Sequence, residues 1–179
     1  MVFSWVLVGI KHCGKSTLGK LLAERWRMPF IDADSVLEAE YEKRTGEKLS
    51  TREIFKTLGE EAFRKLEAEI IRSLISDEDK VIALGGGAVS NRYITRGELF
   101  RLGRIVYLNV SDAVAYPRVA REGLPPFLAD AEDPIKRFAE INEERRKAFA
   151  EVADITFELK EEKPLFETAW ELGDFLEKQ

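Results

Sequence analysis

Apolar residues come in short runs along the chain, unbroken at residues 81–84 and 105–108 and interrupted once each at 2–8, by Ser4, and at 155–157, by Thr156. Runs of that length without polar alternation read as buried strands. The pair Phe30-Ile31 is a lesser example that follows Pro29. Between the runs the period changes to that of a helix. Leu18, Leu21, Leu22 and Trp26 recur at helical spacing, then Phe63, Leu66, Ile70 and Leu74 (with Phe55 ahead of them), then Phe138, Ile141, Arg145 and Phe149, and finally Leu165, Ala169, Leu172 and Leu176. Strands alternating with helices predict an α/β fold, a central parallel sheet of about five strands flanked by helices.

Polar residues mark the boundaries. Pro29 ends the first helix, Ser35 is available to cap the next, and residues 38–47 read as a polar helix ending at Gly46. Ser50 and Glu53 form a capping box that opens a short helix stopping at Gly59, and residues 95–102 supply a helical crossover. Asp133-Pro134 is a cap with proline in the first turn, and Pro164 opens a closing helix. Residues 122–132 break every period, so they read as a lid or as a plain surface loop.

The chemistry concentrates after the first strand. Gly9-Ile10-Lys11-His12-Cys13-Gly14-Lys15-Ser16-Thr17 fits G-x-x-x-x-G-K-[ST] between an apolar strand and an amphipathic helix. The two glycines let successive N–H groups point inward as a phosphate cradle, with the start of the helix adding its dipole. Lys15 would reach β and γ oxygens of ATP, and the Ser16 hydroxyl would ligate Mg2+. Asp32 and Asp34 follow the second strand, where alternation along extended chain would point both into the same crevice. One would meet magnesium through water and the other a substrate hydroxyl, although Asp34 also reads as a simple cap. Gly85-Gly86-Gly87 ends another buried strand, either for close approach to a ligand or for a turn needing positive φ. Arg64 lies four residues from Glu60 and, taken alone, reads as half of an exposed ion pair; Arg145 sits in a charged run, residues 143–147, that reads as a solvated helix face. Arg118 and Arg121 precede the lid stretch.

Bulk properties narrow the classes. A chain of 179 residues suits one domain, and a net charge of -5 with 34% charged residues of both signs leaves no basic face for nucleic acid. Cys13 is the sole cysteine, and no apolar stretch is long enough to span a membrane, so a cytoplasmic monomer is the expectation. Asn occurs only at positions 91, 109 and 142 and Gln only at 179, a composition associated with hot environments. A thiol inside a phosphate loop should also be protected from alkylation by MgATP.

In this order the pieces resemble the shikimate kinases, small P-loop kinases with a three-layer fold and a lid. The GIKHCGKST loop carries the likeness, with Phe30-Ile31-Asp32-Ala33-Asp34, Ile54-Phe55, Gly59-Glu60-Glu61-Ala62-Phe63-Arg64, Gly85-Gly86-Gly87-Ala88, and Arg145 four residues before Phe149. The resemblance implies transfer of the γ-phosphoryl of ATP, with Mg2+, to the 3-hydroxyl of shikimate, a step of aromatic amino-acid biosynthesis. It implies Lys15 and Asp34 as catalytic residues, and Gly9, His12, Cys13, Gly14, Lys15, Ser16, Thr17, Arg118 and Arg121 around ATP. Asp34, Arg64, Gly85, Gly86, Gly87 and Arg145 would hold the acceptor, Ser16 and Asp32 the metal. One kinase domain, 1–179, would contain a lid at about 118–133 and substrate-binding helices at about 35–75. The chain departs from the family at two places. Pro125-Pro126-Phe127-Leu128 stands where the lid normally reads Arg-Pro-Leu-Leu, leaving Arg121, Arg118 or Lys11 to supply that charge, and His12 replaces a frequent glycine, which is tolerable at negative φ. Two other readings remain open: a kinase of gluconate or another hydroxy acid, and a binding module that lost turnover with the lid arginine.

Overall fold

The computed structural model describes residues 4–121, 123, 124 and 126–179. Five strands, β1 Trp5–Val8, β2 Phe30–Asp32, β3 Val81–Ala83, β4 Arg104–Val110 and β5 Ile155–Leu159, form one sheet in the order β2-β3-β1-β4-β5. All four pairings are parallel, with Val6 lying between Ile82 and Ile105. The continuous apolar runs explain the arrangement: β1 and β3 are covered on both faces, and Val6, Leu7, Val81, Ile82, Ile105 and Val106 are wholly buried.

Among the described residues, eight α-helices connect and cover the strands: α1 Lys15–Trp26, α2 Ala33–Thr45, α3 Thr51–Ser73, α4 Arg96–Leu102, α5 Asp112–Arg121, α6 Pro126–Ala129, α7 Pro134–Val152 and α8 Leu165–Leu176. Helix α1 packs on β3 and α8, while α7 packs on β4 and α5. Helices α2 and α3 pack on each other around a small second core of Leu37, Tyr41, Ile54, Phe63, Leu66 and Ile70. That second core lets the pair stand at the open end of the sheet as one wall of a cleft.

Several boundaries differ from the sequence expectation. Asp32, not Ser35, caps α2, because its carboxylate accepts from the N–H groups of Asp34 and Ser35. The capping boxes at Ser50 with Glu53 and at Thr95 with Glu98 both form. Helix α3, Thr51–Ser73, is two helical segments joined at Gly59. The helical geometry is interrupted there, with φ 76° and ψ 169°, so a short segment ends at Gly59 as expected and a longer one follows to Ser73, the two abutting as the arms of one kinked helix. The expected lid stretch holds the short α6, with Leu128 only 2% exposed.

Candidate active site

A cleft of about 830 Å3 opens at the carboxyl ends of β1, β2 and β3. The chain leaves β1 toward one edge of the sheet and leaves β3 toward the other, and ligands of parallel sheets collect at such a divergence.

The phosphate loop forms one wall. Gly9 has φ 153°, and a Cβ there would lie 2.7 Å from Cys13 Sγ and 2.9 Å from the Leu108 carbonyl, so no side chain fits. The Cys13 N–H donates to the Ile10 carbonyl at 3.3 Å, closing a turn in which His12 takes φ 64°. His12 therefore does not keep the negative φ its tolerance was expected to need. The third position of a type II turn requires positive φ, at a cost on the order of 1 kcal/mol for a residue with a Cβ. Gly14 caps α1 with no side-chain bond, leaving first-turn N–H groups for a ligand. Lys15 Nζ donates to the carbonyls of Gly9 at 2.9 Å and Ile10 at 3.0 Å, which bends its ammonium over the loop. Lys11, His12, Gly14, Lys15, Ser16 and Thr17 line the cleft, whereas Gly9 and Cys13 shape the loop from beneath. Cys13 is fully buried, so the expected alkylation has no exposed thiol to act on.

The Ser16 hydroxyl donates to Asp32 Oδ2 at 2.5 Å, while Asp32 Oδ1 accepts the Asp34 N–H at 3.1 Å and the Ser35 N–H at 3.4 Å. Asp34 is not the cap. Nor are the two carboxylates aligned by strand alternation, since Asp32 ends β2 and Asp34 lies in the first turn of α2; the turn still brings both to the cleft. Burial pushes the Asp34 carboxyl up to about 6, helped by the Asp32 charge and then by Glu67 and Glu38, and opposed by Lys15.

On the opposite wall, Arg64 pairs with Glu67 at 2.7 Å rather than with Glu60. Glu67 is 6% exposed and also accepts from Asn91 Nδ2 at 2.8 Å, and the same amide nitrogen donates to the Arg64 carbonyl at 2.8 Å. Glu67 wins because it lies on the buried face of α3, where a lone carboxylate would be costly and an arginine three residues back can reach it. The glycine triplet owes nothing to positive φ, which none of the three adopts. A Cβ on Gly85 would sit 2.6 Å from Asp34 Oδ1 and one on Gly87 2.5 Å from Arg64 Nη1, so close approach of functional side chains is the reason for glycine. Gly86 has looser surroundings, the nearest atoms being the Gly9 carbonyl and the Lys11 nitrogen, both at 3.9 Å from a Cβ.

Arg118 bridges the loop and the chain before α8, donating to the His12 carbonyl at 3.2 Å and to both Glu162 oxygens at 3.0 and 3.1 Å. Arg121 and Arg145 also line the cleft. The charged run around Arg145 is not wholly a solvated face: Arg146 donates to the Val110 carbonyl at 2.9 Å and pairs with Asp112, tying α7 to the end of β4. Pro125, on which the lid departure rests, lies outside the described residues.

Sequence reasoning missed Glu67, Asn91, Arg146 and Glu162. Glu67 left a trace, a charge inside the apolar stripe between Leu66 and Ile70, whereas the other three show only in three dimensions. Phe55, expected at the head of the apolar stripe, is 38% exposed and lines the cleft, edge-on to Phe63 at 5.2 Å.

A phosphate loop on a parallel sheet, facing a carboxylate and an arginine across one cleft, defines a P-loop small-molecule kinase, a phosphotransferase. The chain belongs to the shikimate kinase family: the family's sequence model matches residues 11–175. It is 37% identical over 156 residues to the shikimate kinase of Haemophilus influenzae, covering 87% of this chain and 83% of that one. Against the shikimate kinase of Dechloromonas aromatica it is 40% identical over 149 residues, covering 83% of this chain and 77% of that one. Among solved structures, shikimate kinase from Acinetobacter baumannii in complex with shikimate superposes with a TM-score of 0.81 at 28% identity, covering 99% of this chain and 94% of that one. No helix among the described residues is long and apolar enough to cross a membrane.

Proposed function

We propose that the chain transfers the γ-phosphoryl of ATP to the 3-hydroxyl of shikimate, giving shikimate 3-phosphate and ADP. The observation that carries this reading is the meeting of Asp34 and Arg64 against Gly85 and Gly87, opposite the phosphate loop. A proton acceptor and a fork-shaped cation side by side suit a ligand bearing both hydroxyls and a carboxylate, and the family membership points the same way. Arg64, held by Glu67, and Arg145 clamp the carboxylate, while the triplet lets the ring approach the backbone.

In the transfer, the acceptor oxygen forms a bond to the γ-phosphorus, and the bond from that phosphorus to the β,γ-bridging oxygen breaks, its electron pair leaving with ADP. The hydroxyl proton passes to Asp34, whose raised pKa suits a base working near neutrality. Lys15 exchanges its loop carbonyls for phosphate oxygens, and the first-turn N–H groups of α1 cradle the β-phosphate. Ser16 and Asp32 offer two hard oxygen donors side by side, too few to cage a cation by themselves but fitting one completed by phosphates and water, as magnesium prefers. Bound there, magnesium would neutralise charge on the β and γ oxygens. Arg118 and the stretch at Lys163-Pro164 flank the adenine of ATP, residues 35–75 form the acceptor wall, and 118–133 closes over the site within one kinase domain of residues 1–179.

A coupled assay of ADP release with MgATP tests the reading. Turnover should depend on shikimate and be absent with gluconate or with no acceptor. Equal turnover with gluconate would overturn the acceptor assignment, and silence with both ligands bound by calorimetry would leave a binding module.

A further inference from the structure

Phosphoryl transfer is accelerated chiefly by cations held where charge develops, between donor and acceptor. The cations lining the cleft divide by how they are held. Lys15 sits on loop carbonyls, Arg118 on Glu162 and His12, Lys163 on Glu171 at 2.8 Å, and Arg64 on Glu67. Lys11, Arg52, Arg121 and Arg145 line the same cleft, and their side chains make no hydrogen bond or ion pair with any described residue. Three of these four stand on peripheral helices: Arg52 in the first turn of α3, Arg121 at the end of α5, Arg145 on α7.

Lys11 differs in position. It is the second residue of the turn that Cys13 closes on Ile10, and it is exposed beside His12, whose positive φ forms the tip. Its backbone nitrogen is also one of the two atoms nearest to where a Cβ on Gly86 would stand, at 3.9 Å. The loop that cradles phosphate thus meets the acceptor-side triplet at Lys11, and a four-carbon stem carries an ammonium from that junction.

We propose that Lys11 is a catalytic residue whose ammonium donates to the equatorial oxygens of the phosphoryl group in flight. The inference rests on the kinase reading above. As the acceptor oxygen bonds to phosphorus and the bridging oxygen leaves with its electron pair on ADP, negative charge spreads over those oxygens, and Lys11 meets it from the loop while Asp34 takes the hydroxyl proton. The strain accepted at His12 keeps the tip that presents it.

The test compares wild type with Lys11→Met, Lys11→Arg and Arg121→Met. Lys11→Met should lower kcat by about a hundredfold with KM for shikimate little changed, and Lys11→Arg should recover most of that loss. By calorimetry, Lys11→Met should bind ADP as wild type does but lose affinity for ADP with aluminium fluoride, a mimic of the phosphoryl group in flight. A purely structural role would weaken both. A kcat within twofold of wild type overturns the proposal, and a loss confined to Arg121→Met moves the charge to α5. Should wild type turn over another hydroxy acid instead of shikimate, the acceptor reading falls, and the aluminium fluoride comparison still decides the lysine.

Discussion

The two walls of the cleft are built in different ways. The nucleotide wall is one continuous stretch, residues 9–17, whose donors are backbone N–H groups and whose Lys15 and Cys13 are engaged with the loop itself. The wall proposed for the acceptor gathers Asp34 from α2, Arg64 from α3, two glycines from the end of β3 and Arg145 from α7. A wall of backbone tolerates exchange of most side chains, which is how His12 occupies a position suited to glycine. A wall of side chains from separate elements does not, because each depends on a neighbour being in place.

The sharpest way to separate the walls is Arg64→Met. It removes the guanidinium and leaves the buried Glu67 carboxylate with Asn91 alone, so kcat/KM for shikimate should fall by roughly a hundredfold to a thousandfold. ADP affinity should hold; an equal loss there would mean that the walls are not independent.

Gly85→Ala comes next. Its Cβ would sit 2.6 Å from Asp34 Oδ1, and if Asp34 is the base proposed above, its displacement should cost about a hundredfold in kcat. Gly86→Ala, whose Cβ meets nothing nearer than 3.9 Å, leaves Asp34 in place and should keep kcat within about threefold, its loss falling instead on KM for shikimate, whose ring approaches that backbone.

Asp34→Asn tests the electrostatics of the acceptor wall through stability. The folded carboxyl titrates at about 6 against 3.8 for an unperturbed one, so its protonated form favours the folded state below pH 3.8, and that advantage is lost as pH rises through 6. The variant should therefore be more stable than wild type at pH 8 by on the order of 2 to 3 kcal/mol, and equal to it near pH 3.5. Denaturant melts at both values would reveal it. In wild type, kcat/KM should fall as pH drops below about 6, where the base becomes protonated.

His12→Gly, on the nucleotide wall, should do least. Relief of about 1 to 2 kcal/mol of left-handed strain is offset by the larger entropy glycine loses on folding. A thermal melt should show a gain of less than about 1 kcal/mol, and ADP affinity should be unchanged. A large loss of affinity would make the imidazole a ligand and blur the contrast between the walls.

The same contrast explains what could be read in advance. The phosphate loop is local: its residues are neighbours in sequence, its glycines answer to backbone geometry, and the flanking strand and helix announce themselves by period. The five-stranded parallel sheet was likewise legible, because strands buried on both faces must be continuously apolar. On the acceptor wall, residue types at a given spacing narrowed the candidates, and the resemblance to a family selected Asp34, Arg64 and Arg145 among them.

Partnership was decided only by tertiary structure. Arg64 could be paired on paper with Glu60 or Glu67, both one helical turn away, and only the packing of α3 against the second core says which carboxylate is buried. Whether Asp32 or Ser35 caps α2 and whether Arg146 faces water or the Val110 carbonyl are questions of the same kind. Periodicity encodes which face of an element is apolar. The burial that sets a pKa, pairs a charge or forbids a Cβ depends on residues far away in the chain, and comes into being only when the elements meet.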